Sequence, residues 1–130
     1  MKKVLFALIL AMLTLGTACR KYEEGPLVSF RSRTSRVVND WTVKSVYINA
    51  KLEAAHTAIG TQYTFTKDGR FSVNTDSTGS WRFLSNDEIL YLEYDDKVTK
   101  KKYTIKKLKE DALWVYYYDS LNYKIELRME

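Results

Sequence analysis

The chain is poor in the residues that carry most site chemistry: one cysteine, one histidine and one proline in 130 residues. A single cysteine excludes an intrachain disulfide and any zinc site built on cysteine pairs. With one histidine and no Asp-x-Asp-x-Asp-Gly loop, no metal-ligand set of familiar spacing remains. His56, the sole histidine, stands in an alanine-rich stretch with no acidic or cysteine residue adjacent to it. It reads as a surface or lid residue rather than a general base. The acidic pairs Asp87-Glu88, Asp95-Asp96 and Glu110-Asp111 all fall at expected turns, where carboxylates cap backbone and stay wet. Nothing brings them to one place, and the sequence reads as a non-enzyme without metal or cofactor. Long apolar runs are missing too. The longest, Val4 to Leu15, has twelve residues, or ~18 Å of helix against ~30 Å of bilayer hydrocarbon, too short for a transmembrane span.

An excess of one charge is also absent from most of the chain. The formal net charge is +5, but residues 37–130 carry fourteen basic and fourteen acidic side chains. The excess lies at the amino-terminal end, where Arg20, Lys21, Arg31, Arg33 and Arg36 face only Glu23 and Glu24. A neutral domain supplies no net field for nucleic acid. The basic cluster Lys100-Lys101-Lys102 with Lys106, Lys107 and Lys109 reads as a solvated edge or outer face of a strand.

What is present begins at the first residue. Met1-Lys2-Lys3 is a basic start, Val4–Leu15 an apolar core, and Gly16-Thr17-Ala18 a small-residue stretch ending at Cys19. This is the layout of a secretory signal peptide over 1–18. The segment Leu15-Gly16-Thr17-Ala18-Cys19 resembles the lipobox of bacterial lipoproteins, in which the cysteine thiol receives a diacylglycerol and the new amino terminus is acylated after cleavage. That resemblance implies a lipid attachment at Cys19, palmitate-type chains, and a cell-envelope protein held at the outer membrane. Gly16-Thr17-Ala18 also satisfies the small-x-small rule of ordinary signal cleavage. An unpaired cysteine at the start of an exported chain would be a liability, which favours acylation. Glu23-Glu24 resembles the surface-export signal of some Gram-negative lipoproteins, and reads equally as part of a solvated tether. Residues 19–36 form that tether, with Pro26 after Gly25. Leu27, Val28 and Phe30 within it are expected to pack against the domain or its membrane-proximal end.

From Val37 onward the pattern has period two. Trp41-Thr42-Val43, Tyr63-Thr64-Phe65-Thr66, Phe71-Ser72-Val73, Trp81-Arg82-Phe83, Tyr103-Thr104-Ile105 and Tyr123 through Met129 alternate between apolar and polar residues. Turn chemistry separates these segments, with Gly69 after Lys67-Asp68 as one hairpin signal. Strands are predicted near 37–48, 62–67, 70–76, 79–84, 89–94, 99–108, 112–118 and 121–129. Eight sequential antiparallel strands can remove their exposed edges by closing into an up-and-down barrel. The all-β domain therefore spans 37–130, with a short helix capped by Asn49, or a lid loop, over residues 48–60 after the first strand.

Asn39-Asp40-Trp41, Tyr63 through Phe71, Gly79-Ser80-Trp81, Tyr103-Thr104-Ile105 and Leu113-Trp114-Val115 stand in an order and spacing similar to the lipocalin-like domains of small Gram-negative lipoproteins. This resemblance implies an architecture more than an activity. Trp41, Tyr63, Phe65, Phe71, Trp81, Phe83, Tyr103 and Tyr123 fall on the dry faces. An eight-stranded barrel is just wide enough for its own side chains or one small ligand, and this many rings favour a filled core. Two readings follow. In the first, a monomeric membrane-anchored barrel binds a small apolar or amphipathic ligand, with Trp41, Tyr63, Phe65, Trp81 and Tyr103 as the lining. In the second, a filled barrel is a protein-interaction or inhibitor module for an envelope partner, presenting loops or the ladder Trp114, Tyr116 and Tyr118.

Overall fold

The computed structural model describes residues 31–130. A five-residue helix, α1 (Arg33–Val37), precedes nine strands: β1 (Asp40–Ile48), β2 (Lys51–Leu52), β3 (Gln62–Phe65), β4 (Arg70–Val73), β5 (Ser77–Leu84), β6 (Ile89–Tyr94), β7 (Lys100–Leu108), β8 (Leu113–Tyr118) and β9 (Lys124–Met129). Every pairing is antiparallel, and each strand from β3 to β9 pairs with the next. The pairing of β1 with both β3 and β9 closes an eight-stranded barrel, to which β2 adds a short ninth strand on β1. Closure leaves the eight barrel strands without the unpaired edges of an open sheet.

Alternation sends one residue in two inward. Tyr63 and Phe65 on β3, Gly79 and Trp81 on β5, Leu90 and Leu92 on β6, and Ile125, Leu127 and Met129 on β9 are all buried. The period breaks at two places. Register shifts between Val43 and Ser45 on β1, and between Ile105 and Lys107 on β7, put Val43 with Val46 and Ile105 with Leu108 on the inner side three residues apart. An extra residue of this kind bends its strand and increases its twist, which helps a small barrel curve shut. Gly79 is required by its surroundings. A Cβ there would lie 2.2 Å from the Glu93 carbonyl oxygen and 2.6 Å from the Phe71 ring.

The two ends of the barrel differ. At one end α1 lies against the last turn of β7. Its first turn is capped by the Ser32 hydroxyl, which accepts from the Ser35 amide, and the Arg36 guanidinium donates to the Leu108 carbonyl at 2.7 Å. Val37 is fully buried, and its carbonyl accepts the Trp41 indole N–H at 2.9 Å. Residues 33–36, read from sequence as tether, form this plug. Leu27, Val28, Phe30 and Cys19 lie outside the described residues.

At the other end, a loop connects β1 to β3. Asn49 and Ala50 both have positive φ, 49° and 67°, and make the two-residue turn of the β1–β2 hairpin, in which Ile48 pairs with Lys51. Asn49 also exchanges hydrogen bonds with the Lys124 backbone through its amide and its side-chain oxygen. These bonds turn the chain at the residue that would cap a helix, so the connection takes the lid-loop form. Tyr123 departs from the expected dry face. The Asp119 carboxylate accepts from the Leu121 and Tyr123 amides, which holds Tyr123 in the turn ahead of β9, and its ring is exposed.

Candidate ligand site at the barrel mouth

The rings inside the barrel form two groups that are joined where Tyr63 stacks on Phe65, with centroids 6.3 Å apart. Near the helix end, Phe65 meets Trp81 edge-on with centroids 5.9 Å apart, and Trp81 meets Phe83 in the same way at 5.6 Å. The Trp81 indole N–H donates to the Thr66 carbonyl at 3.0 Å. Trp41 is 1% exposed. With Leu90, Leu108, Leu113 and Val115 also within 1% of complete burial, this half is packed with side chains.

The second group holds four phenols from four strands: Tyr63 on β3, Tyr94 on β6, Tyr103 on β7 and Tyr117 on β8. Tyr63 and Tyr103 share a side-chain hydrogen bond, and the Tyr103 ring meets that of Tyr117 edge-on at 5.5 Å. Tyr94 packs edge-on against Phe71 at 5.0 Å, in the space that Gly79 leaves. Burial raises all four phenol pKa values, Tyr94 to about 12; neighbouring phenols add to this at Tyr94, Tyr103 and Tyr117, while the bond to Tyr103 partly offsets it at Tyr63. Each phenol is therefore a neutral donor and acceptor at physiological pH. Around them Ile48, Ala58 and Val73 are partly buried against the core, as are Tyr94 and Tyr117 themselves. These partly buried apolar and phenolic side chains, at the barrel end that carries the β1–β3 loop, are the candidate mouth. In that loop the His56 Nδ1 accepts from the Ala58 amide at 3.1 Å, a bond that shapes the loop.

Of the residues singled out from sequence as lining, Tyr63 and Tyr103 meet in the mouth. Trp41, Phe65 and Trp81 also point inward but belong to the packed half. Tyr94 and Tyr117 are mouth residues that sequence reasoning did not select. Their signal was the same alternation, Leu90-Leu92-Tyr94 on β6 and Leu113-Val115-Tyr117 on β8.

Trp114, Tyr116 and Tyr118 stand on the outer face of β8. Cations of the same chain cover the rings of Trp114 and Tyr116, while Tyr118 is exposed. The Lys107 ammonium and the Arg128 guanidinium lie 4.0 and 3.8 Å from the Trp114 ring centroid, Arg128 is also 4.1 Å from that of Tyr47, and Lys124 is 4.2 Å from that of Tyr116. Glu126, buried on this same face, is paired with Lys106 at 3.4 Å and Arg128 at 3.2 Å. The ladder is thus a cross-strand network that is already occupied. A groove of about 630 Å³ opens beside it at the helix end, with Lys107, Lys109, Glu110, Asp111, Trp114 and Glu130 among its walls. Those walls carry both signs of charge and select neither.

The acidic pairs are engaged locally. Asp87 pairs with Arg33 and Glu110 with Arg31. Asp95 accepts from both Arg70 amino groups and from Thr78, which hold its carboxyl down at about 2. Asp96 accepts from the Val98 and Thr99 amides. Among the described residues no three of His, Cys, Asp and Glu converge.

Fold and site together define a closed eight-stranded antiparallel barrel with one helix-plugged end and one phenol-lined mouth. No protein-family model matches the sequence, and no match is found among curated proteins.

Proposed function

We propose that this is a lipid-anchored, lipocalin-like protein of the cell envelope whose barrel mouth binds a small amphipathic molecule. The observation that carries the reading is the difference between the two ends. A barrel serving only as a rigid platform has no need of four uncharged hydrogen-bonding phenols in its interior, and buried polar groups without a task are a burden on stability. In the mouth they give a hydrogen-bonding group of the ligand several donors and acceptors, while Ile48, Ala58 and Val73 receive its apolar part. Sites for small molecules have this composition: an apolar lining with a few convergent polar groups. The anchor rests on the lipobox-like segment ending at Cys19.

The rival reading, an interaction or inhibitor module, draws support from the packed helix half. Two rings of its aromatic ladder, Trp114 and Tyr116, are already covered by Lys107, Lys124 and Arg128, which weakens it.

Titration with dansyl-undecanoic acid separates the two. Energy transfer from tryptophan to the bound probe should saturate at one probe per chain. Tyr94→Phe with Tyr117→Phe should weaken binding by about tenfold, the value of one or two lost hydrogen bonds, and Trp114→Ala should leave it unchanged. Absence of saturable binding would refute the mouth as a ligand site. For the anchor, a fatty acid supplied to cells should label the unaltered chain and not Cys19→Ala. Failure to label the unaltered chain would remove the anchor and leave the binding claim standing.

A further inference from the structure

Among the described residues six large apolar side chains are exposed: Leu52, Ile59, Val98, Tyr118, Leu121 and Tyr123. All six lie on or beside the connections at the mouth end. Leu52 and Ile59 belong to the β1–β3 connection, Val98 to the β6–β7 turn, and Tyr118, Leu121 and Tyr123 to the β8–β9 turn and its flank. The turns at the helix end, residues 66–69, 85–88 and 109–112, contain no large apolar side chain.

The apolar tips are held out by rigid turns. Asp96 accepts from the Val98 and Thr99 amides, and Asp119 from those of Leu121 and Tyr123. Val98 is left 83% exposed and Leu121 71% exposed. Local turn preference favours small polar residues at such positions, so these two need another reason to be there. We propose that the mouth end docks on a lipid surface, with Leu52, Val98 and Leu121 seated at the boundary between headgroups and acyl chains.

Two observations select a lipid surface over a protein. The tips stand on separate turns, and the polar Asn74-Thr75-Asp76 turn shares the same end. A bilayer receives separated tips one by one, whereas a protein partner needs a contiguous complementary patch. Tyr118 and Tyr123 add rings with an apolar body and a polar tip, the type enriched at membrane interfaces. Charge sets no preference between leaflets. Arg70 pairs with Asp95, and Lys51, Lys97, Lys100 and Lys124 stand at the same end as Glu53, Asp76, Asp96 and Asp119. The two signs balance, so the apolar tips carry the docking.

The docking does not depend on ligand binding by the mouth and is measured with no ligand present. The chain from residue 31 carries every core residue among the described residues, Val37 to Met129, and lacks the proposed anchor, so its partition reports the barrel alone. It should float with phosphatidylcholine vesicles, and no more than about threefold better with phosphatidylglycerol vesicles, since the charges at this end balance. Val98→Asp with Leu121→Asp should reduce partition into either kind of vesicle by about tenfold or more, with an unaltered unfolding midpoint. Equal partition of the double variant, or no partition of the parent, would overturn the proposal. So would a concentration-dependent dimer that the double variant abolishes, since the tips would then serve a second copy.

Discussion

Trp81 and Trp114 both lie on strands, β5 and β8, and the barrel uses them in opposite ways. Trp81 sits inside, edge-on to Phe65 and Phe83, its N–H bonded to the Thr66 carbonyl. Truncating such a side chain leaves a cavity, at a loss of ~3–5 kcal/mol. That is a large part of the ~5–15 kcal/mol typical of a small domain. Trp114 lies outside between Lys107 and Arg128, where a cation over a ring contributes ~0.5–1 kcal/mol. In the 31–130 fragment, Trp81→Ala should therefore be largely unfolded at room temperature, while Trp114→Ala should lose only about 1–2 kcal/mol. Urea midpoints of both variants check this, and equal large losses would move Trp114 into the core. Sequence pattern placed both tryptophans on strands. It left open which face of β8 is wet, because Leu113-Val115-Tyr117 and Trp114-Tyr116-Tyr118 are both apolar. The cations that settle it, Lys107 and Arg128, come from β7 and β9.

Among the elements, the strands were the legible part. The alternation of β3, β5, β7 and β9 states which face is dry, and all eight expected segments begin within three residues of the observed strands. Two elements were not legible. The five residues of α1, Arg33-Thr34-Ser35-Arg36-Val37, are too few to show a helical period, and so short a helix is held by its docking rather than by its propensity. β2 exists because Asn49 and Ala50 turn the chain back onto β1, an event that Ala50 at positive φ gives no reason to expect. The phenol cluster was half legible. Tyr63 and Tyr103 stood out by alternation, but their meeting with Tyr94 and Tyr117 depends on barrel closure, which brings four strands of distant sequence around one interior.

That cluster gives the molecule an alkaline sensitivity. Burial raises these phenol pKa values above the ordinary 10.0, that of Tyr94 to about 12. Above pH 10 the unfolded chain loses phenol protons that the folded chain keeps, so the stability these neutral phenols contribute below pH 10 is lost as pH rises. Stability should fall between pH 10 and 12. Phenolate absorbance of the 31–130 fragment should then rise in two stages, the exposed tyrosines first and the buried group only with unfolding seen by circular dichroism. A single titration near pH 10 without unfolding would show the phenols to be open to solvent.

At the scale of the whole molecule, polarity runs from one end of the barrel to the other. The end where the chain enters through α1 is plugged by Val37, Trp41 and the Arg36–Leu108 bond, and its surface carries the pairs Arg33–Asp87 and Arg31–Glu110. The opposite end holds the phenols inside and the apolar tips outside. The proposed anchor before α1, the proposed ligand site among the phenols and the proposed docking of the tips would together suit a protein that exchanges amphipathic molecules with a lipid surface. The claim at the centre of this account is that a ligand enters the mouth and stops above the packed half. Methyl-resolved NMR of the 31–130 fragment titrated with dodecanoate tests it directly. The account predicts saturable shifts at Ile48, Ala58 and Val73, with Val37, Leu108 and Leu113 unmoved. Unmoved mouth methyls at saturating dodecanoate, or shifts confined to the outer face around Trp114, would contradict it.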